Sequence, residues 1–329
     1  MKALVYEGVE TLVYRDMPTP VAGAGQSLIR IEASGICGSD MHAFLGHDSR
    51  RPAPLILGHE AAGVIVGGKK NGTRVTVNPL VTCGMCPACT TGRTNLCPER
   101  MIISMPPREG AFAAMVVMRT ENLVVVPDHV ALAAAALAEP ISCGWHTARL
   151  CRRALPRGRR ALAIGGGAIG LGAALSLKAQ GVDDVTILEP NAARAAYLRD
   201  ACGQTVVSEA ELPHTATFDI VIDGVGYAST RATASAQVTP GGVIGHIGLG
   251  EDTSGLDIRR MTLQEITFIG TYTYTAQDFR DTAKAMFDGR LGALDWTETR
   301  PLSSGAQAFA DIRAGRVTAP KIILEPEHA

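Results

Sequence analysis

The segment RRALAIGGGAIGLGAALSLKAQG, residues 159–181, constrains the fold more than any other stretch of the chain. An apolar run from Ala161 to Ile164 is closed by three glycines, and helix formers then continue to Gly181. That order reads as strand, tight turn and helix. Gly165, Gly167 and Gly170 satisfy G-x-G-x-x-G in this context. The first permits the turn, the second lets backbone approach a pyrophosphate, and the third lets helix meet sheet. The helix would begin at Ala168 and Ile169, with its N-terminus facing the phosphates. The competing reading is a glycine-rich structural turn.

The next strand favours the dinucleotide. VTILEP ends at Glu189, where an acidic side chain would accept hydrogen bonds from an adenosine ribose. This predicts NAD over NADP, because a 2'-phosphate would meet Glu189 as a like charge; Arg194 is the counter-signal. TFDIVIDGVG and GGVIGHIGLG each read as a buried strand closed by glycines, as expected of an open parallel sheet whose carboxyl ends face the ligand. The loops after Asp223 and Ile247 then border the cofactor, with Val225, Ile247, Gly248 and Leu249 as its contacts. His246 itself reads as a core histidine. The basic patch CRRALPRGRR, ahead of the first of these strands, reads as a solvated connector.

A chain of 329 residues exceeds what one such domain needs, so a second domain is expected. Apolar residues at 46% and a formal net charge of -1 describe a folded protein with no electrostatic footprint for nucleic acid or an anionic membrane. The longest apolar run, VALAAAALA, is about half of what spans a bilayer. The N-terminus reads as a strand rather than a secretory signal. A cytoplasmic protein is expected, in which eight cysteines are metal ligands, reactive thiols or core residues rather than disulfides.

Four of those cysteines, Cys83, Cys86, Cys89 and Cys97, fall in CGMCPACTTGRTNLC. Their short links allow four thiolates to converge on one ion, which suits tetrahedral zinc. An iron–sulfur cluster is the nearest rival, but the last spacing is too long for the bacterial ferredoxin run. Gly84, Gly92, Pro87 and Pro98 suggest turns rather than helix or strand. A closed four-cysteine site has no vacancy for substrate, so it stiffens a lobe and chemistry lies elsewhere. Upstream, GICGSDMHAFLGHD and LILGHEAAGVIV supply Cys37, Ser39, Asp40, His42, His47, His59 and Glu60. A catalytic zinc needs about three protein ligands and one open position. Cys37 and His59 fill two; Glu60 or the more distant Glu139 of LAEPISCGWH is the third, with Pro140 expected to hold the preceding backbone extended.

Taken together, GICGSDMH, GHEAAG, the four-cysteine lobe, AEP and the glycine fingerprint resemble, in order and over nearly the whole chain, the zinc-dependent medium-chain dehydrogenases. The pairing of GHE with Glu139-Pro140 is similar to the polyol branch, which includes sorbitol, threonine, galactitol and idonate dehydrogenases. The resemblance implies an α/β chain: a GroES-like, β-rich catalytic domain from residues 1–142 and 276–329, carrying the structural-zinc lobe at about 80–100. A Rossmann doubly wound parallel sheet is inserted at 143–275. It implies Cys37, His59 and Glu139 as catalytic-zinc ligands, with Glu60 binding directly or from just behind them, and Cys83, Cys86, Cys89 and Cys97 as structural-zinc ligands.

On the same resemblance, Ser39 and His42 form a proton relay and Asp40 orients the metal-bound histidine. Cys143, four residues past Glu139, is a rival ligand to which a packing role is given. Phe44, His47, Met105 and Tyr272 are candidate pocket residues. The implied reaction is oxidation of a secondary alcohol of a polyol or sugar acid to a ketone, with hydride passing to NAD, in a homodimer or homotetramer. An NAD-binding metabolite sensor and a zinc-lobe binding module are the competing readings.

Overall fold

The computed structural model describes every residue except 213, 214, 216, 328 and 329. The N-terminal part forms β1 (Lys2–Gly8), β2 (Thr11–Asp16), β3 (Gln26–Gly35), α1 (Gly38–Phe44), β4 (Leu55–Ile56), β5 (Glu60–Val66), β6 (Arg74–Val77), β7 (Leu80–Val81), α2 (Pro87–Thr90), β8 (Met101–Ile102), β9 (Met115–Arg119), β10 (Leu123–Val125) and α3 (Leu132–Ala136). The middle part forms α4 (Ala138–Ala154), β11 (Arg160–Ile164), α5 (Ala168–Ala179), β12 (Asp184–Leu188), α6 (Ala192–Asp200), β13 (Thr205–Val207), β14 (Phe218–Asp223), α7 (Ala228–Gln237), β15 (Val238–His246), α8 (Ile258–Leu263) and β16 (Thr267–Gly270). The chain then returns through α9 (Ala276–Phe287), β17 (Thr297–Pro301), α10 (Gly305–Arg313) and β18 (Lys321–Glu325).

Two sheets organise the molecule. A six-stranded sheet runs β13-β12-β11-β14-β15-β16, and all its pairs are parallel. Its central strands bury continuous apolar runs because helices cover both faces, as parallel sheets require. A seven-stranded sheet runs β10-β6-β5-β3-β18-β17, with β9 also on β3. Here β18, from the far end of the chain, pairs antiparallel with β3, Ile323 opposite Gly35. The short hairpin β1-β2 takes β4 on its other side.

One core lies between α4, α5, α9 and the parallel sheet, and includes Ile141, Trp145, Leu171, Phe279 and Trp296. Another lies under the hairpin and α10, where Phe44 packs on Phe309 at 5.2 Å. Burying each such side chain contributes about 1.5–3 kcal/mol. Phe44 is therefore a packing residue, 6% exposed, and it does not line the cleft that holds His42 and His47.

Three local expectations are corrected. Pro140 does not hold an extended backbone: it lies in the first turn of α4, where its missing N–H costs nothing because that turn has no carbonyl to reach. The four-cysteine stretch is not turns alone, since Pro87 starts the single helical turn α2. The basic patch is only partly a connector, because α4 runs through Ala154 with Cys151 buried in the core, and Arg160 already opens β11.

Candidate functional site

The N-terminus of α1 and the start of β5 meet at the end of β3. Cys37 caps α1, and its backbone N–H donates to Asp40 Oδ2 at 3.0 Å. Asp40 Oδ1 accepts from the Gly58 N–H at 3.2 Å and lies 3.4 Å from His59 Nδ1. One buried carboxylate thus ties the cysteine, the following loop and the histidine ring into one geometry. Burial pushes the Asp40 carboxyl up, but His59 and Arg51 hold it below the usual range. Burial likewise disfavours a charged His59, and Asp40 and Cys37 outweigh it, so the ring sits well above its ordinary value. Ser104 Oγ also approaches His59 Nδ1, at 3.4 Å. The opposite ring nitrogen is left for an ion.

Glu60 is fully buried opposite Gly35 in the β3-β5 register. A Cβ on Gly35 would stand 2.1 Å from Glu60 Oε2, so a larger residue there would displace that carboxylate oxygen. Lys321, the first residue of β18, donates to Glu60 Oε1 at 2.7 Å and to the Ile36 carbonyl at 2.8 Å. Glu60 Oε2 is buried with no partner. Cys37, His59 and Glu60 each bring a ligand atom within 4.8 Å of the others. An orphaned carboxylate oxygen beside a thiol and an imidazole is the donor set of a divalent, borderline-soft cation, and zinc fits it.

Glu139, near the start of α4, stands outside that tight group. Its Oε1 accepts the Tyr274 phenol at 2.7 Å. Burial first, then Glu60, raise its carboxyl to about 7, against His59 and Lys321. Cys143, one turn on, is kept a thiol by burial and by Glu139 and Cys37. Lys321, Tyr274, Ser104 and Arg51 were not singled out by sequence. The signal for Lys321 was present: a lysine entering the apolar run KIIL is either exposed or, as here, paired.

The second cluster is the lobe. Cys83, Cys86, Cys89 and Cys97 also converge within 4.8 Å, with Cys83 Sγ 4.0 Å from Cys89 Sγ and 3.6 Å from Cys97 Sγ. Backbone N–H groups of Met85 and Cys86 lower the Cys83 thiol to about 7. Four thiols with no other donor match a closed zinc site. Asn95 Nδ2 donates to the Tyr272 carbonyl at 2.7 Å, and the Ala276 N–H donates to Thr94 Oγ1 at 2.9 Å. The lobe therefore buttresses the segment that carries Tyr274.

At the carboxyl ends of the parallel strands, Gly165 turns with φ 96° and Gly167 caps α5. A Cβ on Gly170 would stand 1.7 Å from the Gly165 carbonyl oxygen. Ala168 and Ile169 open α5. Glu189 accepts from Gly166 N–H at 2.8 Å and Asn191 N–H at 2.7 Å, which holds its carboxylate beside the glycine loop. Arg194 donates to the Val317 carbonyl at 3.1 Å. Val225, Ile247 and Gly248 are drawn together by Asp223, whose Oδ1 takes the Val225 N–H and whose carbonyl takes those of Ile247 and Gly248. Leu249 is exposed and, with His42, His47 and residues 250–254, lines a cleft of about 600 Å³. Ser39 and His42 lie one turn apart on α1, so both sit on the same side of that helix. Glycine turn, helix N-terminus and strand-end carboxylate together fit a dinucleotide.

Comparison with known proteins agrees with this geometry. Residues 23–128 match the alcohol dehydrogenase GroES-like domain, and residues 168–288 match the zinc-binding dehydrogenase family. The chain is 31% identical to the L-galactonate-5-dehydrogenase of Escherichia coli (strain K12), over 94% of each chain. It is 33% identical to the sorbitol dehydrogenase of Bacillus subtilis (strain 168), over 83% of this chain and 82% of that one. A thermostable alcohol dehydrogenase from Pyrobaculum aerophilum superposes with a TM-score of 0.88 at 26% identity, covering 99% of both chains. The chain belongs to the zinc-dependent medium-chain dehydrogenases, on the polyol side of that family. It is an oxidoreductase of alcohol groups that uses zinc and a nicotinamide dinucleotide.

Proposed function

We propose that the protein oxidises a secondary alcohol of a polyol or sugar acid to a ketone with NAD as acceptor. Cys37, His59 and Glu139, with Glu60 alternating as ligand or restrained partner, hold the catalytic zinc, and the four lobe cysteines hold the structural one. The observation that carries this reading is the buried, partnerless Glu60 Oε2 beside Cys37 and His59. When bound, zinc supplies Lewis acidity to the alcohol oxygen and the nicotinamide accepts the hydride.

The chain's own groups do the rest. Asp40 fixes the His59 ring, a role that sets which nitrogen is free. Lys321 holds Glu60 through Oε1 and leaves Oε2 without a partner beside Cys37 and His59, and Tyr274 fixes Glu139. Ser39 Oγ takes the alcohol proton and His42, exposed in the cleft, releases it to water. Gly165, Gly167, Ala168, Ile169 and Gly170 receive the pyrophosphate and Glu189 the adenosine ribose; Arg194, engaged with Val317, leaves NADP disfavoured.

The catalytic domain comprises residues 1–142 and 276–329 and the Rossmann domain 143–275, supported by the return of β17 and β18 to the first sheet. A homodimer or homotetramer is supported by the open edge strand β16 and by α8, none of whose residues is buried. All eight cysteines are free thiols, which supports a reducing, cytoplasmic setting. No helix among the described residues is long and apolar enough to cross a membrane. Cys37→Ser should abolish NADH formation and lower the metal content from two zinc ions per chain to one; full activity with both metals retained sinks the assignment.

A further inference from the structure

Ser104, two residues past β8, sits where its own backbone does not favour it. It is fully buried with a left-handed φ of 68°, a conformation that glycine adopts freely and a residue with a Cβ rarely does. A side chain kept at such a position directs attention to what it touches. Its Oγ lies 3.4 Å from His59 Nδ1, the same distance as Asp40 Oδ1. Among the described residues His59 is the one hydrogen-bond partner of that hydroxyl. Asp40, in contrast, is shared: its Oδ1 also takes the Gly58 N–H at 3.2 Å and its Oδ2 the Cys37 N–H at 3.0 Å.

The hydroxyl is aimed by what holds the Ser104 backbone. Arg51, on the loop between α1 and β4, is 3% exposed and donates from Nε to the Ser104 carbonyl at 2.9 Å. One terminal nitrogen of the same guanidinium reaches Asp48 Oδ2 at 2.7 Å and the Ser39 carbonyl at 3.4 Å. Asp48 neutralises the arginine, so Ser104 meets a directional N–H from a rigid planar group rather than a net charge. Arg51 thereby ties the backbone of the relay residue on α1 to that of the residue against His59. Asp40 from α1 and Ser104 from beyond β8 meet at one imidazole nitrogen, and Arg51 fixes the second of them. A ring held through one bond can swing about its Cβ–Cγ axis. A second acceptor narrows that swing, and with it the direction in which the other nitrogen is offered to the ion.

We propose that Ser104 is a positioning residue of the dehydrogenase site: its hydroxyl, set in place by Arg51, shares with Asp40 the orientation of His59 toward the ion. This rests on the dehydrogenase reading above and adds to it a group outside the ligand set. The left-handed backbone accompanies an oxygen presented to His59, which glycine could not supply.

The test uses Ser104→Gly, which deletes the hydroxyl and suits the left-handed backbone. Zinc affinity is read by competition with a colorimetric chelator, with Cys37→Ser, expected to keep the lobe ion alone, as the baseline. Ser104→Gly should weaken binding of the other zinc by about tenfold or more, as loss of such a partner does to a metal-bound histidine. The metal-free variant should melt at the wild-type temperature, because relief of the backbone offsets the lost contact; a merely structural residue would lower it. Arg51→Lys keeps a cation for Asp48 without the planar fork, and should shift zinc affinity in the same direction. An unchanged affinity in that variant overturns the part assigned to Arg51. An unchanged affinity in Ser104→Gly, or a loss matched by a lower metal-free melting temperature, overturns the proposal while leaving the dehydrogenase reading intact. A wild-type chain that takes up the lobe zinc alone overturns both.

Discussion

Glu60 and Lys321 come from opposite ends of the chain and meet fully buried beside the metal cluster. Burial pulls the Lys321 amine down, and Glu60 with Cys37 pushes it above its usual value, so the amine stays charged. Lys321→Met would leave a buried carboxylate uncompensated, at a cost of about 3–5 kcal/mol in the metal-free protein. Denaturant unfolding should show that loss shrinking once zinc is added, because Glu60 then regains a cation; an unchanged loss would place Glu60 away from the ion. Glu189 offers a second residue-scale prediction. Its carboxylate is pinned by Gly166 and Asn191 beside the glycine loop, where the proposed function puts the adenosine ribose. Glu189→Ser should raise the NADP/NAD ratio of kcat/KM by about tenfold or more, since a like-charge contact costs several kcal/mol. No change would show that another group sets the preference.

At the scale of elements, α4 and α9 are joined by an ionic knot. Asp278, in the first turn of α9, accepts from His146 Nδ1 at 2.8 Å, from Arg149 Nε at 2.6 Å and from Thr275 Oγ1 at 2.6 Å. Burial raises the Asp278 carboxyl, and His146, Arg149 and Thr275 outweigh it, holding it far below the ordinary carboxylate range. A depressed folded value stabilises above the unfolded value and is lost as pH falls through the folded one. Stability should therefore drop below about pH 4 on this account. Asp278→Asn should cost about 3 kcal/mol at neutral pH and flatten that acid limb, as read from melting temperature against pH. An acid limb of unchanged slope would assign it to other carboxylates. The same knot sets the angle between α4, which carries Glu139, and the Tyr274 segment that precedes α9, so it holds a site element while making no contact with substrate.

At the scale of the whole molecule, β16 leaves one edge of the parallel sheet open, flanked by Phe268, Leu263 and Ile258, which are 37%, 70% and 62% exposed. Such an edge invites pairing with another copy. If the proposed dimer or tetramer pairs through this edge, Leu263→Lys with Phe268→Lys should reduce the mass seen by sedimentation to one chain; a multimer of unchanged mass would move the interface elsewhere. The glycine fingerprint, the strands after it and the cysteine spacing were legible in sequence because each is written in consecutive residues whose local conformation they force. The ion-site ligands were legible as residue types but not as a set. How Glu60 and Glu139 are held depends on Lys321 and Tyr274, brought in by β18 and by the segment that the lobe buttresses. Helical Pro140 and the packed Phe44 were hidden for the same reason: a side chain's partner across the fold does not appear in its neighbours along the chain. Local chain chemistry alone determined the elements and the kind of donors. Only the folding of residues 276–329 back onto the first sheet decided which donors share one buried, charge-balanced space.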